Sequence, residues 1–111
     1  MAVVIKRLGA IASSGVIATA DTLYTTPAAT GTVVSTITVC NTSSSAATFS
    51  VAISTTTSFV AAGYIVYQAA VAGNDTVALT MGVTLDATNK YLLCSASAST
   101  VSFSAFGTET S

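Results

Sequence analysis

Apolar residues return at every second position in short segments along almost the whole chain, and that period decides what the chain can become. Phe49, Val51 and Ile53 alternate with Ser50, Ala52 and Ser54, and Val77, Leu79 and Met81 alternate with small or polar residues in the same way. A strand sends successive side chains to opposite faces, so this pattern describes a strand with one buried face. No stretch longer than a turn or two carries the 3.6-residue period of an amphipathic helix, and the fold class is therefore all-β. Strands are predicted over 3–11, 21–26, 32–41, 47–54, 64–68, 75–81, 90–96 and 101–106. The second of these is stopped by Pro27, the only proline. In the third, Val33, Ser35, Ile37 and Val39 form the expected core face and Val34, Thr36, Thr38 and Cys40 the other. The stretches 69–74 and 82–89 read as connections. Eight short strands joined by Ser, Gly, Asn and Asp turns fit a two-sheet antiparallel β-sandwich, jelly-roll or immunoglobulin-like, with the strand order left open.

A chain of 111 residues suits a single core, so residues 1–111 are read as one β-sandwich domain, with 1–18 as a possible N-terminal arm or added strand. Charged residues are only 6% of the chain and apolar ones 51%, the reverse of a disordered segment. Three Lys and Arg against four Asp and Glu leave no basic footprint, which argues against nucleic acid or an anionic membrane as partner. No apolar run approaches the roughly 20 residues of a membrane span. Ser and Thr take the place of charge, and a surface so close to neutral is expected to be covered by neighbouring subunits in a dense assembly. The same contacts are expected to hold both chain ends, from Met1 to Ser111, in order. Lys6-Arg7 and the small residues Ala18-Thr19-Ala20 imitate a secretion signal, but Ser13, Ser14 and Gly15 interrupt its apolar part, so none is expected.

The absence of histidine removes His-based acid–base chemistry, the Ser-His-Asp and Cys-His arrangements and the commonest zinc sites. Asp21, Asp75, Asp86 and Glu109 stand far apart in sequence, and the three aspartates are read as turn caps rather than as paired catalytic carboxylates. Neither a GxGxxG nor a GxxxxGK[ST] loop occurs, so nucleotide binding has no motif behind it. No cofactor, metal or catalytic residue is assigned, and the chain is not expected to be an enzyme. Cys40 and Cys94 are read as two buried small apolar side chains, with a disulfide as the lesser alternative. Asn41-Thr42-Ser43 and Asn74-Asp75-Thr76 match the glycosylation pattern, as a Ser/Thr-rich chain does by chance. Tyr24, Tyr64, Tyr67 and Tyr91 offer broad contact area with a polar tip, suited to packing at the core edge or to a sugar-binding or protein-contact platform.

Five segments bear a family likeness: Thr22-Leu23-Tyr24-Thr25-Thr26-Pro27, the run from Val33 to Asn41, Phe49-Ser50-Val51-Ala52-Ile53, the run from Asn74 to Thr80, and the run from Phe103 to Glu109. In these the chain resembles small all-β virion structural proteins of tailed bacteriophages, including those that infect cyanobacteria. One departure is Ala28-Ala29-Thr30 after Pro27, where such proteins often place a glycine-bearing turn. The resemblance implies a virion protein assembled in the host cytoplasm: a capsid decoration or cement protein that binds the major capsid protein or other virion proteins, as a homo-oligomer such as a trimer. A neck, tail or fibre module for connection or host adhesion is the alternative. The expected protein-contact residues are Val3, Val4, Ile5, Lys6 and Arg7, which can add a strand to a neighbour, together with Tyr64 and Tyr67.

Overall fold

The computed structural model describes residues 3–110; Met1, Ala2 and Ser111, to which the expectation of ordered ends extends, lie outside the described residues. Eight strands run β1 (Val3–Ala12), β2 (Asp21–Thr25), β3 (Gly31–Asn41), β4 (Ala47–Ser54), β5 (Tyr64–Val71), β6 (Asp75–Leu85), β7 (Tyr91–Ala96) and β8 (Val101–Thr110), with one 3-10 turn at Ala61–Gly63. They form two four-stranded antiparallel sheets, β1-β8-β3-β6 and β2-β7-β4-β5, packed face to face. The pairs β1/β8, β2/β7, β3/β6 and β4/β5 are those of one long ribbon folded at the β4–β5 turn. Pairing of β3 with β8 and of β4 with β7 rolls that ribbon into a sandwich. This strand order is that of a jelly roll, and it removes the immunoglobulin-like alternative. Among the described residues no helix is long and apolar enough to cross a membrane.

The core lies between the two inner faces. Val34, Ile37, Val39, Phe103 and Ala105 from the first sheet meet Phe49, Val51, Leu92, Cys94 and Val71 from the second. Phe49 and Phe103 cross the gap edge to face, with ring centroids 6.3 Å apart, a favoured aromatic geometry. Full burial of such side chains stabilises the fold by about 1.5–3 kcal/mol each.

Four expectations are corrected. In β3 the inward residues are Thr32 and Val34, then Ile37, Val39 and Asn41, while Val33 is 46% exposed and Ser35 is exposed. A β-bulge at Ser35 explains the change of phase: Val34 pairs with Gly107 and Thr36 with Phe106, so two steps on β3 match one on β8. The Ser35 hydroxyl donates to the Phe106 carbonyl across the bulge (3.2 Å). In β4 both faces are buried: the strand is interior to its sheet, and its second face carries only the small side chains of Ser50, Ala52 and Ser54. The stretches expected as connections are partly strand. β5 continues to Val71 through an irregularity in which Gln68 takes φ +49°, and its N–H donates to Ser50 Oγ (2.9 Å). β6 runs on to Leu85, since its inward alternation continues through Val83 and Leu85 and Gly82 faces open space on an edge strand. Finally, Cys94 is buried as expected, but Cys40 is on the outer face of its sheet and half-buried; both thiols are free.

The turn after Pro27 forms without its glycine. Ala29 takes φ +56°, the left-handed conformation that glycine adopts at no steric cost, and Thr30 Oγ1 donates to the Ala28 carbonyl (3.1 Å).

Candidate functional site

The expected contact residues gather at one end of the sandwich. Val3 pairs with Thr110, Thr110 with Gly31, and Thr32 with Leu85, so the starts of β1 and β3 and the ends of β8 and β6 share one edge of the first sheet. In the second sheet Thr25 pairs with Tyr91 and Tyr91 with Ser54, and Tyr24 reaches across to Thr32 and Glu109. The residue 26–30, 55–63 and 86–90 connections therefore lie at this same end.

β1 is an edge strand, paired with β8 on one side only. Of the possible arm, residues 3–12 are thus the outer strand of the chain's own sheet. Its start exposes three aliphatic side chains, Val3 (62%), Val4 (47%) and Ile5 (85%). Alternation places Val3, Ile5 and Arg7 on the outer face. There Ile5 sits beside Thr108 and, one strand further, Val33, and Arg7 sits opposite exposed Phe106. This outer face thus presents Val3, Ile5, Val33 and Phe106, with Thr108 and the Arg7 cation among them.

Val4 and Lys6 point to the other face, where Lys6 Nζ pairs with Glu109 (3.1 Å). Glu109 in turn accepts a hydrogen bond from the Tyr24 hydroxyl, which also contacts Thr32 Oγ1 at 2.9 Å. Burial pushes the Tyr24 phenol up to about 12, with the Glu109 carboxylate adding to the shift. The Tyr24 hydrogen bond, aided by Lys6, holds the Glu109 carboxyl below its usual range. This chain of four side chains ties β1, β8, β2 and β3 together, so Lys6 has an internal partner while Arg7 has no carboxylate partner among the described residues.

Tyr64 and Tyr67 lie on β5, the edge of the second sheet. β1 stacks over β2 and β6 over β5, which puts the tyrosines on the side of the sandwich away from β1. Phe59 stacks on Tyr64 (5.1 Å between centroids, 28° between planes), and Tyr67 meets Tyr64 edge on (4.8 Å, 77°). With Val60 and Ala61 these rings line an open hollow of about 510 Å³. Gln68, next to the lining residue Tyr67, donates from Nε2 to the Tyr67 hydroxyl (3.2 Å). Phe59 was not singled out from sequence, because it sits in a loop without periodicity. Tyr24 is a core residue, and Tyr91 lies under the Lys90 ammonium (5.3 Å to the ring centroid).

Of the three aspartates only Asp86 caps a turn in the expected way, whereas Asp75 reaches just the next residue and Asp21 reaches back seven residues to Ser14. Asp86 Oδ1 accepts from the N–H of Thr88 (2.8 Å) and Asn89 (2.7 Å), which holds its carboxyl below the usual range. Asp75 Oδ1 accepts from Thr76, and Asp21 Oδ2 from the N–H and hydroxyl of Ser14. Asn41 of the glycosylation-like triplet is buried at the opposite end. Its amide donates to Ser45 and Ala72 carbonyls and its oxygen accepts from Ser43 N–H and Thr100 Oγ1, pinning three connections together. Burial, with the Asp21 charge adding to it, pushes the Cys94 thiol far above its ordinary range. Among the described residues no group of three or more acidic, His or Cys side chains is placed to hold a metal ion. No protein-family model, curated protein or solved structure matches the chain.

Proposed function

We propose that this chain is a bacteriophage virion structural protein, a capsid decoration protein that binds the major capsid protein through β1 and performs no chemistry of its own. The observation that carries this reading is the start of β1: an edge strand whose backbone is open on one side and whose aliphatic side chains stand in solvent on both faces. A partner that adds a strand there satisfies the open backbone groups and covers Val3, Ile5, Val33 and Phe106 in one step. The scarcity of charge supports the same reading, since many copies packed on a shell repel one another little. The jelly-roll strand order is one that viral capsid domains use, although lectins and enzymes use it too, so it adds support by analogy only.

The test mixes the purified chain with heads assembled from the major capsid protein of the same genome. Val3→Glu/Ile5→Glu changes only exposed side chains, so its melting temperature is expected to stay within a few degrees of wild type while head binding is lost. Removing residues 1–11 is a poorer test, because Leu8 and Ile11 pack against the core. Full occupancy by the double variant overturns the β1 assignment. Copies per virion, counted by gel densitometry, separate a shell position in hundreds of copies from a neck, tail or fibre position in a few or dozens.

A further inference from the structure

The hollow on β5 has features that an outer strand does not need for folding. We propose that Phe59, Tyr64, Tyr67 and Gln68 form a binding site for an uncharged sugar ring of a glycan. This inference does not rest on particle binding by β1, which lies on the other side of the sandwich.

Three observations carry it. First, the lining is chemically uniform: three aromatic rings, Val60 and Ala61, with no ionised side chain. A charged ligand would lose its hydration there without gaining a counter-charge. None of the three cations lines the hollow: Lys6 is engaged by Glu109, Lys90 lies over Tyr91 and Arg7 is on β1 at the other side of the sandwich, so a nucleotide phosphate would find no counter-charge there. Its size, about 510 Å³, falls in the range of small-molecule sites.

Second, the rings form a corner. Phe59 and Tyr64 are nearly parallel and Tyr67 stands almost perpendicular to them. A pyranose has an apolar face of C–H bonds and a rim of hydroxyls, and it fits such a corner by laying C–H bonds on a ring face while its hydroxyls reach polar groups at the edge. A proline-rich peptide, by contrast, docks in an aromatic groove long enough for its extended helix.

Third, Gln68 is held in place at a conformational cost. Its φ of +49° is left-handed, unusual for a residue other than Gly, Asn or Asp, and Ser50 Oγ secures the conformation by accepting its N–H. Irregularities of this kind re-aim a side chain. Here the amide donates to the Tyr67 hydroxyl, which leaves the phenolic proton and the amide carbonyl free for ligand hydroxyls.

The experiment titrates the full ¹⁵N-labelled chain with methyl α-glucoside, methyl α-mannoside, methyl β-galactoside and the trisaccharide of N-acetylglucosamine, after a screen on an array of neutral glycans. A sialylated trisaccharide and a proline-rich decapeptide serve as comparison ligands. At least one neutral glycan is expected to shift the amides of residues 59–68 saturably and more strongly than either comparison ligand. Tyr67→Ala, at a side chain 63% exposed, is expected to weaken binding at least about tenfold with little change in melting temperature. Gln68→Asn keeps the left-handed backbone but shortens the amide, and it is expected to weaken binding severalfold if Tyr67→Ala proves poorly folded. The proposal is overturned if no neutral glycan shifts these amides, if the peptide or the sialylated sugar binds there in preference, or if affinity survives in the folded variants.

Discussion

Tyr24 joins both sheets and both ends of the chain through one hydroxyl group. Its ring belongs to the core, and its oxygen meets Thr32 and Glu109, with Lys6 on the far side of the carboxylate. Replacing it by Phe keeps the ring and removes both hydrogen bonds, leaving the buried Thr32 hydroxyl short of a partner; the expected loss is about 1–3 kcal/mol in urea denaturation. The pH dependence follows from the sign of each shift. The phenol is raised from 10.0 to about 12, so its contribution is whole below pH 10 and is lost as pH rises toward 12, because the unfolded chain ionises first. Glu109 is lowered, so its contribution is present above the ordinary carboxylate range and fades as pH falls through its folded value. Denaturation midpoints measured on the alkaline side should fall for wild type, and Tyr24→Phe should flatten that fall. An equal fall in both proteins would assign it to another group.

At the scale of the strand, the bulge at Ser35 determines which residues of β3 are inside. Deleting Ser35 leaves Thr32, Val34, Ile37, Val39 and Asn41 on one unbroken alternation, whereas deleting Thr38 sends Val39 and Asn41 outward. The first variant is expected to melt cooperatively, bent less but folded, and the second to lose cooperative melting. Gly107 belongs to the same device, since a Cβ there would lie 2.0 Å from the Val33 carbonyl oxygen. This explains why the strands were legible in the sequence and their faces only in part. Alternation announces a strand wherever it is unbroken, as in β4 over 47–54, whereas β8, expected to end at Phe106, runs on to Thr110; a single extra residue reverses the meaning of the alternation and leaves no mark in composition. Val33 and Val34 are the same residue type, and only the pairing with β8 decides between them. The extension of β6 past Gly82 was hidden for a related reason: glycine signals a break, yet an edge strand tolerates it. Of the proposed contact residues, Val3 to Arg7 were readable as part of a strand, but only the sheet order makes that strand an edge, and the hollow needed Phe59, brought to Tyr64 by a loop whose path the sequence does not encode by period.

Across the whole molecule, the nested ribbon brings the first and last strands side by side, with Val3 opposite Thr110. Cα atoms paired in this way are about 4.5–5.5 Å apart, so a short Gly/Ser linker can join Thr110 directly to Val3 without strain. A circular permutant linked there and reopened between Thr56 and Thr57, in the exposed Thr/Ser loop, is expected to fold with a cooperative transition by circular dichroism. Failure to fold would show that the order of strand emergence, and not only their final neighbours, governs assembly. That order has a consequence of its own. β8 lies between β1 and β3, so while the chain is being synthesised the first sheet has a missing centre, and both strands wait with open edges until β8 has left the ribosome. The first sheet therefore closes only after β8, the last of its four strands in chain order, has been made. In a cell making many copies at once, the strand that fills one gap can come from a neighbouring nascent chain, and crowding during translation becomes a route to strand-exchanged dimers.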